Sequence, residues 1–129
     1  MTFADRYDSL FEFYGHQYGM NWHLLKKQAG AESSFNPDAE SSAGAKGLCQ
    51  FMPPTFDEWA KKTKLNGPDI WNPEHQIHCQ AAYMQWLMDQ VRWDTAQAFA
   101  AYNFGIGHIK RGDPWPQETL DYVGKILAT

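Results

Sequence analysis

The sequence predicts an all-α domain of orthogonally packed helices. Three observations carry that prediction: apolar residues recur at helical spacing in successive segments, capping residues and Pro or Gly punctuate them, and no segment alternates as a half-buried strand would. The 129 residues suit one domain, 1–129, large enough to fold without disulfide staples. No repeat, linker or low-complexity tract divides the chain.

Taken in order, Phe3, Tyr7, Leu10, Phe11, Tyr14 and Tyr18 fall on one helical face and predict an amphipathic helix to about Gln17. Gly19 stops it, and Asn21 is a good N-cap for a second helix carrying Trp22, Leu25 and Ala29. Asn36-Pro37 cannot continue that helix, so it ends near Glu32 to Ser34. Residues Ser33 to Gly47 are rich in Ser, Ala, Gly, Asn and Pro and predict a long irregular connection, a feature often tied to function. Thr55-Phe56-Asp57-Glu58 has capping-box form and predicts a helix through Trp59 to about Lys62. After the Asn66-Gly67-Pro68 turn, Asn72-Pro73 opens a long helix with Ile77, Ala81, Met84, Met88 and Val91 on one face. Asp94 opens another, apolar almost all round through Tyr102 and therefore central, closed by Gly105 and Gly107. Past Asp113-Pro114-Trp115-Pro116, a last helix carries Leu120, Val123 and Ile126.

Composition excludes several classes of function. Net charge is −4 and the pI near 5.6, so no basic field exists to recruit nucleic acid. No stretch approaches the ~18 apolar residues of a membrane span, which argues against membrane insertion. Met1 to Lys27 mixes acids, bases and aromatics and does not read as a signal peptide. Aromatic residues reach 16%. Two cysteines, Cys49 and Cys79, permit one disulfide without requiring it.

Glu32 is the leading chemical candidate. A carboxylate at a helix C-terminus faces the negative end of the dipole, and burial also disfavours its charge. Both push its pKa upward, as a general acid at neutral pH requires. A surface glutamate at a frayed helix end is the plainer alternative. Asp38 and Glu40, close by in sequence, read as solvated loop charges. His75, His78 and Cys79 fall at i, i+3 and i+4, a spacing that can hold zinc. The pairings of the specific metal motifs are missing, however, so no metal is expected. Lys61, Lys62 and Lys64 read as a solvated helix end.

Glu32-Ser33-Ser34-Phe35-Asn36-Pro37, followed by the run from Ser41 through Gly44, Gly47, Leu48 and Gln50 to Met52-Pro53, resembles the signature of the soluble lytic transglycosylases. Three later segments resemble the same family in the same order: Trp71-Asn72-Pro73, then Ala101-Tyr102-Asn103-Phe104-Gly105, then Pro116-Gln117-Glu118-Thr119. The resemblance covers about residues 20 to 127 and implies a lysozyme-like fold, with helices around a substrate cleft. It implies a peptidoglycan lytic transglycosylase in which Glu32 is the single acid/base. Glu32 would protonate the glycosidic oxygen and then deprotonate the C6 hydroxyl of the muramic acid, which closes a 1,6-anhydro ring. Ordinary glycosidases need a second carboxylate; an internal nucleophile removes that need.

The same resemblance gives Ser41 a contact near the sugar N-acetyl group, places Gln50 and Met52 along the glycan groove, and makes Tyr102 orient the catalytic carboxyl. Asn103 joins it at the site, and Glu118 lies at the back of the cleft, structural or substrate-orienting. Each has a plainer alternative: turn chemistry for Ser41, core filling for Met52, a core tyrosine for Tyr102, dipole placement for Glu118. Cys49, Phe104 and Gln80 depart from the methionine, alanine and glycine common in the family. The implied partner is the peptidoglycan glycan strand, acted on by a monomer without cofactor or metal at the bacterial cell wall, in the periplasm. Lack of a leader suggests a phage-encoded endolysin, a virion component, or a domain of a larger exported protein. A goose-type hydrolase using Glu32 and water is the rival within enzymes. A non-catalytic wall-binding or structural particle component is the rival outside them.

Overall fold

The computed structural model describes residues 3–128, the Phe3 side chain excepted. A short 3-10 turn, Phe3–Asp5, precedes seven helices among those residues. They are α1 (Asp8–Tyr18), α2 (Trp22–Ser33), α3 (Pro53–Lys62), α4 (Pro73–Gln90), α5 (Thr95–Phe104), α6 (Ile106–Arg111) and α7 (Gln117–Leu127). No strand is present among the described residues, only the isolated bridges Glu40 to Lys46 and Lys46 to Phe51. The described residues form two compact units divided between residues 82 and 83, a division that falls within α4.

In the first unit α1 packs on α2. Phe11, Leu25, Ala29, Leu48, Phe51, Phe56 and Ile77 form the buried apolar interior. Lys26 of α2 joins Asp5 at 2.6 Å and Asp8 at 2.9 Å. Tyr14 of α1 donates to Glu74 of α4 at 2.6 Å. One turn on, the Tyr18 hydroxyl meets Nε2 of His78 at 2.7 Å. Asn21 caps α2 through the His23 amide, and Asn72 caps α4 through the His75 amide at 3.1 Å. Each satisfies an amide that the first helical turn leaves without a partner.

The start of α3 differs from the capping-box expectation. The helix begins at Pro53, behind an extended Met52, so Thr55 lies inside its first turn. Proline presets the helical φ and lacks the N–H that this position cannot bond, so Pro53 starts the helix without a side-chain cap.

In the second unit α5 packs against α6 and α7. Asp94 caps α5 through the Gln97 amide. Ala98, Phe99, Ala100 and Ala101 are all buried, in keeping with a helix apolar on every side. Gly105 closes α5 at φ 111° and also opens α6, a helix the sequence did not suggest. Gly107, read there as a terminator, lies inside it.

Candidate active site

Glu32 occupies the last turn of α2 and is half-buried. Directly after the helix, Ser34 and Phe35 both adopt left-handed conformations, φ 53° and 63°. Non-glycine residues held there cost of order 1–3 kcal/mol each, strain that clusters at functional sites. The bend folds the Phe35 ring back over Gly30, where an added Cβ would meet ring carbons at 3.0 Å. Ser33 then ties the helix end to the following loop, its hydroxyl donating to the Leu48 carbonyl at 2.6 Å. Glu32 is thereby held on a fixed helix terminus and not a frayed one.

The loop from residue 34 to residue 52 is knit by its own backbone. Lys46 and Phe51 exchange amide bonds at 2.9 and 3.1 Å, and the Gly47 amide donates to Ala39 at 2.8 Å. Ser41 accepts the Ala45 amide on its hydroxyl oxygen at 3.0 Å; turn chemistry therefore occupies one side of a hydroxyl whose proton can still be donated. Gln50, at φ 53°, donates through Nε2 to the Ala39 and Gly47 carbonyls, each at 3.0 Å. Its Oε1 is left as an acceptor. Met52 is 43% exposed, so it presents a thioether to solvent and does not fill the core.

Beneath this loop lies Gln76 of α4, wholly buried. Its Oε1 accepts the Cys49 amide at 2.8 Å, and its Nε2 donates to Lys46 at 3.0 Å and Ile70 at 2.6 Å. An added Cβ on Gly47 would lie 2.6 Å from that Nε2, at a backbone φ of +84°. Cys49 is also fully buried. Burial first, and then the neighbouring charge of Glu32, hold its thiol well above the ordinary value. No disulfide joins Cys49 and Cys79, and both are buried.

The other carboxylates and imidazoles near this region face solvent or bond to other groups. Asp38 and Glu40 are exposed, and Glu40 lies 3.6 Å from Lys46. His75 accepts the Asp69 amide on Nδ1 at 3.1 Å, while His78 is bound to Tyr18. An open cavity of about 400 Å³ is lined by Lys46, Pro53, Phe56, Asp57 and Asp69 among others, and none of the expected site residues lines it.

The second unit holds Tyr102, Asn103 and Glu118. Tyr102 and Asn103 lie in the last turn of α5. The Tyr102 ring rests against Tyr83, centroids 5.4 Å apart. Asn103 accepts the Thr119 hydroxyl on Oδ1 at 2.7 Å, which pins the end of α5 to the first turn of α7. Glu118, adjacent in that turn, is exposed. Phe104 stacks on His108 at 4.1 Å, and His108 in turn meets Asp113 at 2.8 Å.

Residues 9–118 match the family model described as the transglycosylase SLT domain. The chain belongs to this family. Membrane-bound lytic murein transglycosylase F of Actinobacillus succinogenes is 34% identical over 110 residues, 81% of this chain and 21% of that protein. The peptidoglycan transglycosylase gp16 of Escherichia phage T7 is 34% identical over 110 residues, 84% of this chain and 8% of that protein. The SLT domain here thus spans a small part, about a fifth or less, of these relatives' lengths. Among solved structures, lytic transglycosylase Slt of Pseudomonas aeruginosa, in an inactive variant, superposes with a TM-score of 0.88. It is 26% identical, over 97% of this chain and 23% of that one. The 70-kDa soluble lytic transglycosylase in complex with bulgecin A gives the same TM-score at 27% identity, over 98% of this chain and 24% of that one. The helical fold is therefore the lysozyme-like one of the soluble lytic transglycosylases.

Residue patterns alone did not single out Gln76, or the buried Gln28, as working parts of this SLT domain. The only available signal was a polar side chain on an otherwise apolar helix face. Buried amides need partners, and here the partners come from segments distant in the chain.

Proposed function

We propose that this SLT domain is a peptidoglycan lytic transglycosylase that cleaves the β-1,4 bond between MurNAc and GlcNAc, with Glu32 as its single general acid/base. The observation that carries the proposal is the match of residues 9–118 to the transglycosylase model, with Glu32 at a rigid helix end inside the matched span. As the acid, Glu32 gives its proton to the glycosidic oxygen. The C1–O bond to the protonated leaving chain breaks, and Glu32, now the base, takes the proton of the C6 hydroxyl, whose oxygen bonds to C1 of the same sugar. The exposed positions of Asp38 and Glu40 support a route that uses no second carboxylate.

Ser41, Gln50 and Met52 on the loop line the glycan path in this reading. Tyr102 orients the carboxyl, Asn103 offers its amide to the sugar, and Glu118 orients substrate. The domain works as a monomer on peptidoglycan strands at the cell wall, without metal or cofactor. No described helix is long and apolar enough to cross a membrane. The phage T7 relative supports a virion-associated or lytic setting.

The test is digestion of purified peptidoglycan by the wild type and by Glu32→Gln, with mass spectrometry of the released sugars. Anhydro-muropeptides, about one water lighter than hydrolytic products and made by the wild type alone, are expected. Reducing-end products would make this a hydrolase of goose-type-lysozyme kind, and wall binding without cleavage would make it a binding module.

A further inference from the structure

We infer that Gln80, acting through Gln28, is a positioning residue for Glu32. The inference rests on the reading of Glu32 as the acid/base. Gln28 precedes Glu32 by four residues in α2, so the two side chains share a face one turn apart. Both Gln28 and Gln80 are wholly buried. Gln80 donates through Nε2 to Gln28 Oε1 at 2.9 Å and to the Leu25 carbonyl at 3.0 Å. One α4 side chain thereby grips a backbone group and a side chain of the helix that ends at Glu32.

The grip also sets the Gln28 amide. With Oε1 held toward Gln80, planar geometry turns the Nε2 donors away from Gln80. Gln80 Oε1, in contrast, is buried with no hydrogen-bond partner. A buried acceptor without a donor weakens a fold, and an apolar pair of the same shape would avoid that cost. Stability alone therefore does not account for two amides here. What the pair does is tie α4 to the face of α2 that carries Glu32 one turn further on.

The experiment is steady-state kinetics on purified peptidoglycan with the wild type, Glu32→Gln, and the double variant Gln28→Leu with Gln80→Leu, each melted in parallel. The double variant is expected to stay folded at the assay temperature, since the two amides that bond each other leave together. Its kcat is expected to fall about tenfold, the penalty of a slightly misplaced catalytic group, while KM stays within about twofold. A folded double variant with wild-type kcat overturns the inference. If Glu32→Gln is inactive in the same series, the acid/base reading stands while this inference alone falls. If Glu32→Gln turns over normally, the acid/base reading falls and this inference with it. Should the double variant not fold, Gln80→Met is judged by the same kcat criterion.

Discussion

Replacing Gln76 by alanine tests the node that holds the loop in place. The side chain makes three hydrogen bonds, to Cys49 N, Lys46 O and Ile70 O. Lys46 O also accepts the Phe51 amide at 3.1 Å, so its loss is covered. Cys49 N and Ile70 O lose the partner Gln76 supplies, at about 1–3 kcal/mol per buried group. The emptied volume adds to this, so a total of about 3–5 kcal/mol is expected. Against the ~5–15 kcal/mol that stabilises a domain of this size, that is a large share. A melt followed by circular dichroism should fall by roughly 10–20 °C, with a matching shift in urea midpoint at unchanged slope. Gln76→Glu keeps an acceptor for Cys49 N but sets a buried carboxylate oxygen against the Lys46 and Ile70 carbonyls, and should cost at least as much as alanine. A loss below about 1 kcal/mol for Gln76→Ala would refute the reasoning, because at least one buried group would then have found another partner.

Three further outcomes follow from the geometry. Gly47→Ala should cost more than about 2 kcal/mol, from a left-handed backbone and a Cβ 2.6 Å from Gln76 Nε2; urea unfolding measures it, and a neutral result would contradict the crowding. Burial lowers the His78 pKa below its ordinary 6.5, with Glu74 opposing and His75 adding to the shift. Its contribution is therefore fully present above about pH 6.5 and is lost as pH falls toward the depressed folded value, since the unfolded chain binds the proton more readily. Urea midpoints between pH 5 and 8 should drop more steeply on the acid side for wild type than for His78→Gln, and parallel curves would dismiss the effect. Thr119→Val removes the donor to Asn103 Oδ1 and should cost about 1 kcal/mol, with turnover lost if the bond aims Asn103 at substrate; unchanged kcat and KM would assign the bond to packing alone.

Local chemistry explains what could be read from residues alone. Asn21, Asn72 and Asp94 cap their helices through side chains, as short-range rules require. The apolar run Ala98 to Ala101 in α5 is buried because no side chain of that turn carries a polar group for water to hold. Misreadings arose where two local rules competed. Pro53 overrode the Thr55 capping box, and Gly107, which ends helices elsewhere, sits within α6. The bonds that shape the site were hidden for another reason. Ser33 reaches Leu48, and Gln76 reaches Cys49 and Lys46; periodicity carries no trace of contacts between a side chain and a distant backbone. The motif singles out Glu32 as a candidate, whereas the left-handed Ser34 and Phe35 that follow it have no propensity signal.

Digestion of peptidoglycan in water enriched in heavy oxygen addresses the central claim most directly. Ring closure by the C6 hydroxyl consumes no solvent, so muropeptides released by the wild type should carry no heavy oxygen at C1 and should have the anhydro mass. Incorporation of one heavy oxygen at C1 would mean that water is the nucleophile, and would contradict the account.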